Sequence, residues 1–221
     1  MDYHVTLLMS EFVTHDVKRF IVSRPDDFQF TPGQGVELAI DTPEWRKEGR
    51  PFTPTSLAGD RVIEFTIKAY PQHKGVTQAL HTLKSGASLL MSKPFGTIRY
   101  RGVGTFIAGG AGITPFIAIL RELSATNALA YHQLIFANKT PADVICEKEL
   151  RANLEDRCHL ITTASTAAGY EQRRIDATYL KETVADNKQN FYLCGPPGFM
   201  KSVTESLKRF GADPQTLVFE E

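Results

Sequence analysis

Along the first hundred positions, apolar and polar residues alternate in short runs, and Val62–Tyr70 shows the pattern most clearly. Ile63, Phe65, Ile67 and Ala69 fall on one face, and Glu64, Thr66, Lys68 and Tyr70 on the other. Period-two alternation predicts a half-buried strand. YHVTLLMSEFVT, VKRFIVSRP and GVELAI read as further strands, separated by turn signals such as TPGQG. A helix is predicted in GVTQALHTLKSG, where Val76, Leu80 and Leu83 share a stripe and Gly86 would end it. Several short strands in succession predict a barrel or sandwich.

Beyond Tyr100 the period changes. GTFIAGG is a short apolar strand, and TPFIAILRELSA a helix with Thr114 as N-cap and Pro115 in its first turn. HQLIFANKT predicts a strand, ADVICEKELRANL a helix, and RCHLITTAS and NFYLCG two more strands. PPGFMKSVTESLKRFG predicts a helix with Phe199, Val203, Leu207 and Phe210 on one stripe, and QTLVFEE a last strand. Alternating strands and helices predict a parallel α/β sheet. The change falls at RYRGVG, near residues 100–104, giving a β domain over 1–101 and an α/β domain over 102–221.

The chain has 221 residues, with 25 basic and 25 acidic side chains. Zero formal charge argues against a nucleic-acid binder held by bulk electrostatics. The N-terminus lacks a basic region followed by an apolar one, which argues against a secretion signal. No apolar run approaches the roughly 18 residues of a membrane span. Cys146, Cys158 and Cys194 have no metal-binding or disulfide spacing and read as reduced thiols of a cytoplasmic protein. The six histidines (residues 4, 15, 73, 81, 132 and 159) show no ligand spacing, so no metal site is expected.

Candidate chemistry sits in three loops. GGAGITP (Gly109–Pro115) lies between a buried strand and a helix start, where glycines admit an anion to free N–H groups. Tight packing without a ligand explains the same glycines equally well. CGPPGFM (Cys194–Met200) is a second strand-to-helix turn, predicted on the same carboxyl edge of the sheet. RPFTPTS (Arg50–Ser56) crowds an arginine and hydroxyls around two prolines in a stretch suited to neither a central strand nor a helix interior.

RPFTPTS, PGQ (Pro32–Gln34), KGVTQAL (Lys74–Leu80), GGAGITP and CGPPGFM occur in an order that is similar to the ferredoxin–NADP reductase superfamily. That family includes flavodoxin reductases, cytochrome b5 reductases and oxygenase reductase components. The resemblance covers essentially the whole chain. It implies a six-stranded antiparallel Greek-key flavin barrel followed by a five-stranded parallel, Rossmann-like nucleotide domain. It implies FAD as cofactor, with Arg50 on the flavin pyrophosphate, Phe52 against the flavin or its ribityl chain, and Thr53 near flavin N5. Pro51 and Ser56 complete that motif. Ile67, Lys68 and Tyr70 would run along the flavin edge, and Gly75, Val76 and Thr77 would cap its pyrophosphate. Gly110, Gly112, Ile113 and Thr114 would take the pyridine-nucleotide pyrophosphate, and Cys194, Gly195 and Pro196 would lie beside the nicotinamide. Phe219 and Glu220 are candidates for a terminal flavin-stacking aromatic and a nearby acid; an ordinary edge strand with solvated acids is the alternative.

The activity implied is hydride transfer from NADH or NADPH to FAD, then single electrons to a separate flavodoxin, ferredoxin or similar carrier. A flavin reductase with dissociable flavin and a non-catalytic electron-transfer subunit are the competing readings. FANKT (Phe136–Thr140) resembles segments of NADH-using relatives and favours NADH. Ser165, Arg173 and Arg174 would instead serve a 2′-phosphate, or form a solvated loop.

Overall fold

The computed structural model describes residues 1–70, 72, 75–96, 98–165 and 167–219. The chain divides into two compact units, Met1–Thr97 with Thr114–Glu122, and Ile98–Ile113 with Leu123–Glu221.

The first unit is built on six antiparallel strands: β1 (Tyr3–Phe12), β2 (Val17–Ser23), β3 (Val36–Ile40), β4 (Arg50–Phe52), β5 (Val62–Lys68) and β6 (Ser88–Met91). Their order is β4-β3-β6-β1-β2-β5. Just beyond β4, Pro54 forms an isolated antiparallel bridge with Phe65 of β5, so RPFTPTS is the segment that nearly closes the barrel. Inside are Leu7, Phe20, Phe28, Leu38, Ile63 and Phe65, all essentially inaccessible. Burying each such side chain contributes about 1.5–3 kcal/mol.

Helix α1 (Val76–Thr82) follows β5 and stops earlier than the sequence suggests, with Leu83 already extended. Gly86 lies beyond it, at φ +92°, in the turn that leads into β6. Strand β6 itself was not foreseen, because four residues after a turn carry too little periodicity.

The predicted alternation in β5 is overridden: Glu64 and Thr66 are 8% and 6% exposed. Hydrogen bonds from Thr55 and from Arg121 cover that face. Arg121 lies on helix α2 (Thr114–Ala125), whose first nine residues group with the barrel.

The second unit is a six-stranded parallel sheet, one strand more than the family pattern implied. It comprises β7 (Gly104–Gly109), β8 (Gln133–Asn138), β9 (Cys158–Thr162), β10 (Glu171–Gln172), β11 (Asn190–Cys194) and β12 (Leu217–Val218). The order is β10-β9-β8-β7-β11-β12, and the additional strand is the two-residue β10 at one edge. Helix α3 (Glu147–Leu154) begins later than predicted. Cys146 adopts a left-handed backbone (φ +55°) and separates α3 from a short 3-10 turn at Pro141–Asp143. Helix α4 (Ala177–Thr183), capped by the Asp176 carboxylate on Tyr179 N–H, was not anticipated. Helix α5 (Pro197–Phe210) follows the predicted stripe, with Val203 and Leu207 buried and Phe199 and Phe210 packed beside them.

Against the sheet, Tyr192 stacks on Phe106 at 4.6 Å and Tyr100 on Tyr192 at 6.0 Å. The Tyr192 hydroxyl donates to Gly102 O and accepts from Arg101 N–H, fixing the segment that leads into β7. Burial pushes the Tyr192 phenol up to about 12. No helix among the described residues is long and apolar enough to cross a membrane.

Candidate cofactor-binding site

In the first unit, β4 pairs with β3 through Leu38–Arg50, Glu37–Pro51 and Val36–Phe52. Pro51 sits on an edge strand, where a missing N–H is tolerated. The Arg50 guanidinium is more than half exposed; among the described residues it donates to the neighbouring Gly49 carbonyl, at 2.8 Å, and faces Glu48 at 3.6 Å. A forked cation held this loosely is available to an anion.

The next four residues turn inward. Thr53, Pro54, Thr55 and Ser56 are all buried, with Thr55 fully so. Thr55 N–H donates to Glu64 O at 2.7 Å, and its hydroxyl lies 2.7 Å from Glu64 Oε1 and 3.1 Å from Thr66 Oγ1. Ser56 Oγ accepts from Glu64 N–H at 3.1 Å, so that hydroxyl is engaged in closing the barrel. Arg121 Nη1 donates to Thr55 O at 2.7 Å and to Glu64 Oε1 at 2.6 Å. This buried polar cluster escaped the sequence reading. Its signal was an arginine on the mostly apolar helix TPFIAILRELSA and a glutamate in an otherwise regular strand.

The end of β5 is held from two sides. Lys68 Nζ lies 2.8 Å from Asp16 Oδ2. Partial burial raises the Asp16 carboxyl, but the hydrogen bond and charge of Lys68 outweigh it and leave the group below its usual range. His81, on α1, meets Ile67 O through Nε2 at 2.8 Å. Tyr70 is exposed. Gly75 precedes α1 in an extended conformation without a side-chain cap, Val76 is buried, and Thr77 is partly exposed. Lys74 of the same motif lies outside the described residues, as does Glu220.

In the second unit, β7 and β11 are neighbours, pairing Ile107 with Leu193 and Ala108 with Cys194. β8 lies on the other side of β7, so the strand order reverses there. Ligands of open α/β sheets bind at such a reversal, beyond the carboxyl ends of the strands. Both predicted turns occupy it. Gly110 to Ile113 form a 3-10 turn, and helix α2 starts directly at Thr114, which is therefore helical rather than a cap. A Cβ on Gly112 would stand 2.3 Å from Cys194 O and 2.6 Å from Gly195 N. The two turns are thus in backbone contact, which only glycine at 112 permits. Gly110 has φ +54°, and a Cβ there would meet nothing within 4 Å. Its outer side is open, as a backbone that approaches a phosphate requires.

Cys194 is 9% exposed, Gly195 is partly exposed and Pro196 is exposed. Asn138, at the carboxyl end of β8, keeps both amide atoms buried without a hydrogen-bond partner among the described residues. Within this unit, open backbone at Gly110 and the unsatisfied Asn138 amide suit an anionic, hydrogen-bonding nucleotide; in the first unit, the exposed Arg50 guanidinium suits an anion of its own.

Phe219 packs against the core of the parallel-sheet unit, directly after β12. Arg173 donates to Glu182 Oε2 at 2.8 Å, lies over the Tyr179 ring at 4.4 Å and is thereby engaged. Arg174 is exposed, and Ser165 contributes its carbonyl to Thr162 Oγ1.

Residues 4–100 match the oxidoreductase FAD-binding domain, and residues 106–205 the oxidoreductase NAD-binding domain. The chain is 32% identical over 230 residues to NADH-cytochrome b5 reductase 1 of Aspergillus fumigatus, covering 91% of this chain and 73% of that one. It is 26% identical over 219 residues to the reductase component of the naphthalene 1,2-dioxygenase system of Pseudomonas putida, covering 95% and 66%. The chain therefore spans about two thirds of that relative's length. The flavohem-like FAD/NAD-binding domain of nitric oxide dioxygenase from Vibrio cholerae superposes with a TM-score of 0.87 at 21% identity, covering 98% of this chain and 97% of that one. The cytochrome b5 reductase domain of Ulva prolifera nitrate reductase superposes with a TM-score of 0.83 at 23% identity, covering 97% and 95%. With an FAD-binding barrel followed by an NAD-binding parallel sheet, the chain belongs to the ferredoxin–NADP reductase superfamily of NAD(P)H-dependent flavoprotein reductases.

Proposed function

We propose that this protein oxidises NADH through bound FAD and hands the electrons to a separate carrier protein of the ferredoxin, flavodoxin or cytochrome type. The observation that carries the reading is the backbone contact of Gly112 with Cys194 at the strand-order reversal. That contact brings two unlinked glycine turns to one carboxyl edge, where nucleotide pyrophosphates are bound by helix-start N–H groups. A flavin held by the barrel residues would supply the chemistry that links a two-electron hydride donor to a one-electron acceptor. The chain's own residues do the rest. Arg50 neutralises the flavin pyrophosphate, and Phe52 and Thr53 carry the ring system at the barrel rim. The Gly110–Thr114 turn holds the nucleotide, and Cys194 walls the nicotinamide pocket.

NADH is favoured over NADPH because Arg173 is already paired with Glu182 and stacked on Tyr179. The cytochrome b5 reductases to which the chain is similar are themselves named for NADH.

Anaerobic titration of the yellow protein with each nucleotide tests the proposal. NADH should bleach the flavin at a far lower concentration than NADPH. A flavin-loaded protein that neither nucleotide bleaches would refute it. A colourless protein that oxidises NADH only with added flavin would establish the dissociable-flavin reading instead. Arg50→Ala should sharply lower FAD stoichiometry with little loss of stability, because among the described residues that side chain meets the adjacent Gly49 carbonyl and Glu48 and is otherwise exposed. Unchanged occupancy removes Arg50 from the pyrophosphate.

A further inference from the structure

We infer that Arg121 is a positioning residue for hydride transfer, acting through Thr55 and Glu64 on the Thr53–Ser56 segment; the inference rests on the flavin reading above. Thr55 and Ser56 lie two and three residues after Thr53, across the stiff Pro54, and their hydrogen bonds determine where Thr53 lies. All but one of those described come from β5: Glu64 O on Thr55 N–H, Glu64 Oε1 and Thr66 Oγ1 on the Thr55 hydroxyl, and Glu64 N–H on Ser56 Oγ. The remaining one is the Arg121 guanidinium on Thr55 O, at 2.7 Å. The same Nη1 reaches Glu64 Oε1 at 2.6 Å, so one nitrogen fixes both the carbonyl of the segment and the carboxylate that orients its hydroxyl.

The burial makes this pair more than an ornament. Glu64 is 8% exposed and Thr55 fully buried, and a carboxylate taken that far from water must be paired. The other cation facing it, Arg19, lies 3.8 Å from Oε2 and is itself paired with Glu11. Arg121 is therefore the principal counter-charge of a group that hydrogen-bonds the flavin-motif segment. It stands seven residues, about two helical turns, after Thr114, in a helix that begins directly after the Gly110–Ile113 turn. The guanidinium that holds the flavin-motif segment thus belongs to the same helix as Thr114. Hydride transfer depends steeply on the placement of the reacting atoms, and a shift of about 1 Å costs on the order of a hundredfold in rate.

The test is single-turnover anaerobic reduction of the FAD-loaded protein by NADH, in wild type, Arg121→Met, Arg121→Lys and Glu64→Gln. Wild type must bleach first; if it does not, the functional proposal fails and the role of Arg121 is not what failed. Arg121→Met should keep FAD stoichiometry and half-saturating NADH within about threefold while the limiting reduction rate falls by roughly 10- to 100-fold. The deuterium isotope effect with 4-deuterated NADH should remain fully expressed, which locates the loss in hydride transfer. Arg121→Lys should recover most of the rate, because an ammonium has three donors on one nitrogen and can serve both oxygens. A wild-type limiting rate in Arg121→Met overturns the inference. So does a lysine variant as slow as the methionine one, which would mark the arginine as shape rather than donor. Should Arg121→Met fail to fold, Glu64→Gln decides: a slowed limiting rate with retained FAD supports the inference, and an unchanged one overturns it.

Discussion

Gly112→Ala probes the contact on which the functional reading depends. The added methyl would lie 2.3 Å from Cys194 O, 2.5 Å from Cys194 C and 2.6 Å from Gly195 N. All three are backbone atoms at the end of β11, which is held against β7 by the ladder pairing Cys194 with Ala108. No side chain can swing aside, so one turn must retreat by about 0.7 Å to reach even the 3.0 Å that Cβ atoms tolerate. Overpacking of this kind costs about 1–3 kcal/mol, and a clash with three backbone atoms belongs at the upper end. Urea unfolding of the second unit's sheet signal should register a loss of about 3 kcal/mol. Half-saturating NADH should rise at least tenfold, roughly 1.4 kcal/mol, because the turn's N–H groups are displaced with it. Gly198→Ala is the matched control. It lies in the first turn of α5 with nothing within 4 Å of its Cβ, so it should be neutral or stabilising by up to about 1 kcal/mol. A Gly112→Ala protein within about 0.5 kcal/mol of wild type, the range of ordinary surface changes, would show that the two turns do not touch and would refute the argument.

Stability should also fall as pH drops below about 6.5, the ordinary histidine value. Burial lowers the pKa of His81 and of His132, against the backbone hydrogen bonds that raise it, so the unfolded chain binds protons first and the loss accrues between 6.5 and the lowered folded values. His132 accepts from the Tyr100 hydroxyl at 2.9 Å while its Nδ1 faces Ala130 O, and His132→Gln should flatten the slope of the urea midpoint between pH 7.5 and 5.5; an unaltered slope excludes it. Cys158 is a separate case: burial pushes its thiol up to about 11, so it should resist a disulfide reagent at pH 8 in the native protein and react only after unfolding.

Strand-to-helix grammar carried the second unit well. The apolar runs into GGAG and CGPPG, and the stripe of α5, are local signals that need no tertiary partner. What local pattern could not convey depended on contacts far along the chain. Glu64 reads as the solvated side of β5, and its burial depends on Arg121, 57 residues away. Cys146 breaks a helix that periodicity joins, because its left-handed backbone has no preference written in a cysteine. α4 spans seven residues with a weak stripe, and its best signal was the Asp176 cap. The two-residue β10 lies within the stretch whose arginines read as a solvated loop, since so short an edge strand has no period of its own.

The flavin motif divides by what its residues hold. Thr55 and Ser56 have their hydrogen-bonding groups committed to β5, so the hydroxyls at the end of RPFTPTS are elements of barrel closure. Among the described residues, Arg50 bonds to its own chain neighbours, and it stays exposed. A substitution at Ser56 would therefore lower flavin binding by opening the barrel, and that result could not be told apart from a lost ligand contact. A substitution at Arg50 removes a charge and leaves closure intact. The same logic separates Arg121 from both: it touches the closing segment from a different element, and its loss would shift Thr53 without unpairing β4 from β3. Cofactor occupancy thus reports on Arg50, and the rate of reduction at full occupancy reports on Arg121.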